Sequence, residues 1–193
     1  MTTATLAVPA APQPTLVTAD EFLRLHGDES GIELVDGQIV RLPMPGLIHG
    51  EVCANVAIIL GAHVKANRLG RIFTNDSFIR VRSNPDVVRG PDVLFISYET
   101  MPADVPTPKG AYSPPLELAV EVKSPTDTIR GMSRKADEYL EAGVKVVLTF
   151  DPDLASATVF RSDEWPQRYH NGDELTLPDI LPGFAVPVAK FFE

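Results

Sequence analysis

The chain has 193 residues, of which 44% are hydrophobic, and this is enough for one packed domain. Its formal net charge is −9, so any contact with nucleic acid would need a local basic patch, a bound metal ion or a dimer. No run approaches the roughly 18 apolar residues of a membrane span, and the single cysteine excludes an intrachain disulfide. We therefore expect no membrane contact and a reducing, cytoplasmic setting.

The N-terminal segment, residues 1–15, is rich in proline and small residues and lacks the pattern of a signal peptide. We expect it to be a flexible lead-in to a single domain over residues 16–193. The sequence Thr18-Ala19-Asp20-Glu21 has the residues of a capping box, which predicts a short helix over about 18–26.

A hairpin and a long helix are predicted next. Two apolar stretches, 32–35 and 38–42, flank the Asp-Gly dipeptide at 36–37, which is a strong hairpin signal. From 47 to 67 the apolar residues recur at helical spacing, and Gly70 is interpreted as the stop of this helix.

The rest of the chain alternates strands with one further helix. Apolar or alternating runs predict strands over 71–74, 77–82, 92–97, 116–123 and 145–150, with late edge strands over 155–161 and 168–177. A helix capped by Thr126 or Asp127 and ending near Ala142 separates two of them. The pattern predicts a mixed α/β (α+β) domain with one central mixed sheet, flanking helices and an N-terminal hairpin.

Two of the apolar strands carry charged residues. Asp92 stands at the head of one, and Glu121 and Lys123 lie in another. Burial of an unpaired charge is costly, so these groups need compensation. Residues i and i+2 of a strand face the same side, which predicts that Glu121 and Lys123 point together. If Asp92 ends on a neighbouring strand, two carboxylates and one ammonium group converge.

Such a cluster has the chemistry of a divalent metal site for phosphodiester hydrolysis. Asp92 and Glu121 are candidate ligands for Mg²⁺ (or Mn²⁺), with the carbonyl oxygen of Val122 as a further ligand. Lys123 beside two carboxylates should stay protonated, which favours an electrostatic role. From spacing alone, an ordinary buried Glu–Lys arrangement remains the alternative.

The motif Gly90-Pro91-Asp92-Val93, followed by Val120-Glu121-Val122-Lys123-Ser124-Pro125, resembles the PD-(D/E)XK pattern, and the chain resembles the Uma family of restriction-endonuclease-like proteins. The resemblance runs from about residue 18 to the end, and it includes the hairpin around Glu33, His49, the segment with Arg130, Lys135 and Tyr139, and Leu181-Pro182-Gly183-Phe184. It implies a restriction-endonuclease-like fold and metal-dependent cleavage of DNA. Many members have an apolar residue where Lys123 stands, in which case Lys135 would supply the charge.

Other candidate residues each have a functional and a structural interpretation. Glu33 is an outer metal or water ligand, or an exposed hairpin glutamate. His49 faces inward on its helix and is either a site residue or a satisfied core histidine. Lys135 reaches a phosphate or lies on a solvated helix face. Tyr139 is interpreted as a core residue, and Cys53 as a small buried residue without a partner base.

Two rival functions remain open. One is a catalytically idle module on the same fold that binds nucleic acid or protein, with a homodimer as one form of it, and the acidity of the chain favours this. A basic groove would count against it, formed from Arg80, Arg82, Lys123, Arg130, Arg134 and Lys135. The third possibility is a metal-dependent hydrolase of small phosphoesters, which a narrow closed pocket would favour over an open groove.

Overall fold

The computed structural model describes residues 15–193, and the predicted lead-in up to residue 14 lies outside them. The helices are α1 Ala19–His26, α2 Leu47–Ala66 and α3 Ile129–Glu141, with a short 3-10 helix at Val188–Phe191. The strands are β1 Ile32–Val35, β2 Gln38–Arg41, β3 Gly70–Thr74, β4 Ile79–Arg82, β5 Val87–Arg89, β6 Val93–Ser97, β7 Leu116–Val122, β8 Val144–Asp151, β9 Ser156–Phe160, β10 Gln167–Tyr169, β11 Glu174–Thr176 and β12 Ala185–Pro187.

A six-stranded mixed sheet forms the centre of the fold, in the order β10-β9-β8-β7-β6-β3. β7 and β8 are parallel and the other pairs are antiparallel. Every residue of β7 is buried, because α2 covers one face of the sheet and α3 covers the other. Val120 packs in one cluster with Leu60 of α2, and Ala119 packs in the other with Ala136 of α3. The predicted central sheet with flanking helices is confirmed.

The N-terminal hairpin is not part of the central sheet: it belongs to a second, four-stranded sheet in the order β2-β1-β5-β4, which was not predicted. Asp36 (φ 52°) and Gly37 (φ 72°) form the left-handed turn that an Asp-Gly hairpin requires. β5, which has only three residues, was not predicted, and it joins β1 to β4. Phe22 of α1 packs against this sheet. β11 and β12 form a further two-stranded sheet.

The helix ends agree with the sequence at α1 and differ at α3. Thr18 and Glu21 form the predicted capping box. α3 begins later than expected, because Thr128 is its N-cap and accepts a hydrogen bond from the backbone N–H of Gly131. Asp127, which was predicted as the cap, instead accepts hydrogen bonds from the backbone and hydroxyl of Ser124.

α2 is long and apolar enough to cross a membrane by length and composition alone, although the count of consecutive apolar residues did not indicate this. Within the described chain it is the one helix with this property. One face of α2, which carries Val52, Val56, Leu60 and Val64, packs into the core above the central sheet. Core helices of folded domains have the same composition.

Gly70 does not stop α2, which ends at Ala66 with Asn67 as its cap. Gly70 begins β3 and pairs with Ser97 of β6. A Cβ atom at Gly70 would lie only 2.2 Å from the carbonyl oxygen of Ile96. This glycine is therefore needed for the close approach of two backbones, not for a helix end.

We predict that Gly70→Ala destabilises the protein by about 1–3 kcal/mol, because backbone in β3 or β6 must shift to admit the methyl group. Gly61→Ala is the matched control, since Gly61 is buried in α2 and its added Cβ would meet no heavy atom within 4 Å outside its own helix. Alanine there should be neutral or should stabilise by up to about 1 kcal/mol. Urea unfolding measures both, and equal unfolding free energies would contradict the interpretation of Gly70.

Candidate active site

A cavity of about 80 Å³ lies where the start of β6 meets the end of β7. Its charged or titratable lining residues are His49, Asp76, Asp92, Glu121, Asp127 and Lys135. Because β6 and β7 are antiparallel neighbours, Asp92, just before β6, lies beside the last residues of β7. The predicted convergence of Asp92 and Glu121 at one cavity is therefore present in the structure.

Asp92 is held in place by the backbone of β7. The N–H group of Val122 donates a hydrogen bond of 2.6 Å to Oδ2 of Asp92. Oδ1 of Asp92 lies 3.5 Å from Nε2 of His49. The contact with Asp92 raises the pKa of His49, against the opposite effect of burial. His49 is therefore a site residue by position, and one oxygen of Asp92 remains turned toward it.

Glu121 is buried and has one partner on each oxygen. Tyr139 donates its hydroxyl to Oε1 at 2.5 Å, and Nζ of Lys135 lies 3.1 Å from Oε2. Burial raises the pKa of Glu121 to about 7; Lys135 opposes the shift, while the negative charges of Asp92 and Glu33 add to it. Tyr139 is a core residue as predicted, but its hydroxyl also orients a site carboxylate.

Lys135 connects the cavity to a buried ion-pair network. Its Nζ lies 3.3 Å from Oε1 of Glu33, and neighbouring negative charges raise its pKa although burial opposes this. Oε2 of Glu33 accepts a hydrogen bond of 2.6 Å from Arg89, which also donates to Glu138 at 2.5 Å. Within the described residues, Oε1 of Glu33 has no hydrogen-bond donor and faces only the charge of Lys135.

Glu33 is thus not an exposed hairpin glutamate, since its side chain is only 2% exposed. It does not line the cavity either, and it lies behind Lys135. Its contacts are those of a positioning residue that holds Lys135. The hairpin sheet therefore contributes the negative charge of Glu33, which pairs with Lys135, and Glu33 is not placed to bind a metal ion in the cavity.

Lys123 is not where strand alternation predicted it. β7 ends at Val122, although the N–H group of Lys123 still donates a hydrogen bond of 2.8 Å to the carbonyl oxygen of Phe150. The ammonium group of Lys123 is 2.6 Å from Asp153 and 3.4 Å from Asp151. It lines a neighbouring cavity, whereas Glu121 and Lys135 line the cavity with Asp92.

The basic residues that were expected to line a groove do not provide a set of unpaired positive charges. Of the six basic residues proposed for it, five are paired with carboxylates: Arg80 with Asp20, Arg82 with Asp36, Lys123 with Asp151 and Asp153, Arg134 with Glu138, and Lys135 with Glu33 and Glu121. Arg130 is exposed in the first turn of α3 and does not line the cavity.

Two residues of the site were not identified in the sequence, and a third, Asp127, was considered only as a helix cap although it lines the cavity. Arg89 lies in the short strand β5, which was not predicted, and an arginine in an apolar run was the available signal. Asp76 lines the cavity, and burial together with nearby Asp92 and Glu33 raises its pKa. A Cβ at Gly90 would lie 2.9 Å from Asp76, so glycine permits this approach.

The thiol of Cys53 is a poor nucleophile. Burial raises its pKa far above the ordinary value, and Asp92 adds to the shift. Its Sγ lies 3.4 Å from Nδ1 of His49. Cys53 is therefore a neutral, half-buried group next to the site, which agrees with the interpretation from the sequence.

The mixed central sheet, with helices on both faces, defines a nuclease-like domain of the restriction-endonuclease type. The chain belongs to the Uma2 family, whose model is described as "Putative restriction endonuclease" and matches residues 19–189. Both the resemblance and the fold class predicted from the sequence are confirmed.

One solved structure is described as "a putative nuclease belonging to DUF820", from Anabaena variabilis ATCC 29413. It is 20% identical, with a TM-score of 0.79, and the alignment covers 91% of this chain and 97% of that one. At this identity the likeness establishes the fold alone. A comparison with curated proteins gives no match.

We predict that Arg89→Met destabilises the protein by about 3–5 kcal/mol, because it leaves Glu33 and Glu138 buried without their shared partner. Arg134→Met is the matched control. Arg134 pairs with the same Glu138, but its side chain is 62% exposed, so the expected loss is at most about 1 kcal/mol. Urea unfolding at neutral pH measures both, and similar losses would refute the importance of the buried network.

The raised pKa of Glu121 also predicts a pH dependence in metal-free protein. Between pH 4.5 and about pH 7, Glu121 retains a proton in the folded state that it has released in the unfolded state. The unfolding free energy should therefore fall as pH rises through this window. Glu121→Gln removes the titrating group, so its curve should be flatter than that of the wild type in the presence of EDTA. Parallel curves would contradict the shift.

Proposed function

We propose that this protein is a metal-dependent endonuclease that hydrolyses DNA phosphodiester bonds. Asp92 and Glu121 would hold Mg²⁺ (or Mn²⁺), and Lys135 would be the cationic catalytic residue in place of Lys123. The observation that carries the proposal is that these three side chains line one cavity, on a fold of the restriction-endonuclease type.

The residues around the cavity fit a hard divalent cation. Four carboxylates line it, from Asp76, Asp92, Glu121 and Asp127, against one lysine. The negative charge is therefore only partly balanced by this lysine. Burial is the main cause of the raised pKa values of Asp76 and Glu121, and the neighbouring carboxylates add to both shifts. Mg²⁺ prefers oxygen ligands, uses one or two carboxylates and keeps several waters, which this set of donors would allow.

When bound, such an ion activates water and offsets charge on the scissile phosphate. The protein groups do the positioning. The N–H group of Val122 fixes Asp92, and the hydroxyl of Tyr139 fixes Glu121. Lys135 stays protonated between two carboxylates, so its ammonium group would stabilise negative charge on the phosphate and would not act as a base.

We predict that Lys135→Met lowers the rate of DNA cleavage by about 100-fold or more, which is the usual cost of removing one preorganised charge from a site. Lys123→Met is the matched control, because it removes the same group from the neighbouring cavity, and it should change the rate by less than about tenfold. Asp92→Asn should abolish cleavage. The assay uses plasmid and single-stranded DNA with Mg²⁺ or Mn²⁺, with and without EDTA.

Each outcome of this assay separates the alternatives. Loss of activity in Lys123→Met but not in Lys135→Met would restore the assignment made from the sequence. Equal activity in wild type and Asp92→Asn would discard the mechanism. Absence of cleavage by the wild type with either metal would favour an idle interaction module on the same fold.

A second candidate, hydrolysis of small phosphoesters, is favoured by two observations. The cavity is small, and the expected basic groove is neutralised by ion pairs. A chromogenic phosphodiester and cyclic nucleotides therefore belong in the same assay. Turnover of these compounds without cleavage of DNA would select this function over the nuclease.

A further inference from the structure

The first turns of α2 place an imidazole and a thiol beside Asp92. His49 and Cys53 are four residues apart in the helix and share one face. One ligand atom from each of His49, Cys53 and Asp92 lies within 4.8 Å of the other two. Within the described residues this is the one group of three metal-ligating side chains that meets this distance, and Glu121 is not in it.

One of the separations between these ligand atoms matches the edge of a tetrahedral coordination sphere. With metal–ligand bonds of 2.0–2.3 Å, neighbouring ligand atoms lie roughly 3.3–3.7 Å apart. Nε2 of His49 is 3.5 Å from Oδ1 of Asp92 and 4.0 Å from Sγ of Cys53. The sulfur atom lies outside this range, so the side chain of Cys53 must move closer for all three atoms to bind one ion.

The donor atoms are also available. The hydrogen bond from Val122 occupies Oδ2 of Asp92 and leaves Oδ1 for a ligand role. Sγ of Cys53 contacts the imidazole of His49, and Asp92 is the other polar side chain that interacts with it. His49 and Asp92 both line the cavity, so a fourth position would be open to water.

We propose that His49, Cys53 and Asp92 form a binding site for a borderline-soft divalent transition metal such as Zn²⁺ or Co²⁺. A thiolate and an imidazole select such ions over Mg²⁺, which takes oxygen ligands. Binding displaces the thiol proton to solvent and forms the sulfur–metal bond. Because Asp92 also belongs to the proposed Mg²⁺ site, a bound transition metal would inhibit Mg²⁺-dependent cleavage, and this consequence alone rests on the proposed function.

The test is a titration of reduced, full-length protein with Co²⁺, followed by absorption spectroscopy. The wild type should bind one ion and show a thiolate-to-cobalt charge-transfer band in the near ultraviolet. Cys53→Ala should lose that band. Zn²⁺ affinity, measured by competition with Co²⁺, should fall by more than the roughly 10–100-fold that loss of an outer-sphere partner costs. Glu51→Gln, at an exposed position of α2, is the control and should behave as the wild type.

Three results would overturn the site. They are absence of the charge-transfer band in the wild type, an unchanged band in Cys53→Ala, and an unchanged band in both His49→Ala and Asp92→Asn. The last result would mean that the thiol binds the ion alone. Circular dichroism of each variant confirms that it is folded before the spectra are compared.

Inhibition of cleavage separates this proposal from the nuclease itself. In the presence of Mg²⁺, Zn²⁺ should inhibit the wild type at lower concentrations than it inhibits Cys53→Ala. A protein that shows the cobalt band but cleaves no DNA overturns only the nuclease assignment. An active nuclease without the band overturns only the transition-metal site.

Discussion

The ammonium group of Lys135 is the interaction on which the candidate site depends. It lies between two buried carboxylates that come from different sheets, Glu121 in the central sheet and Glu33 in the hairpin sheet. Without this charge, both carboxylates would be left in an apolar interior, where ionised groups are strongly disfavoured. The fold positions Lys135 by packing α3 against the central sheet through Ala136 and Tyr139.

The sequence predicted the central part of the site, because strand pairing and motif spacing depend on local pattern. Asp92 and Glu121 were expected on neighbouring strands, and they line one cavity. Lys123 was assigned by strand alternation, but its ammonium group pairs with Asp151 and Asp153 and lines the neighbouring cavity. The cavity that this long side chain enters depends on acidic residues at the end of β8 and just after it, and no local pattern in β7 indicates them.

The parts of the fold that were missed depend on contacts between distant segments. β5 has three residues and its pairing with β1 joins positions far apart in the chain, so periodicity could not reveal the second sheet. The role of Arg89 depends on this second sheet, because its place in β5 lets it form ion pairs with Glu33 and Glu138. The start of α3 was displaced because Asp127 bonds to Ser124, while Thr128 takes the capping position.

The network behind Lys135 sets a limit on how far the motif can be separated from the rest of the molecule. The segment that carries the recognisable residues, from Asp92 to Lys135, does not contain Glu33 or Arg89. A graft of that segment onto another scaffold would carry the proposed ligands and Lys135, but not Glu33 and Arg89, which complete the ion-pair network around Lys135. The unit that evolution or protein engineering can transfer is therefore the pair of sheets together.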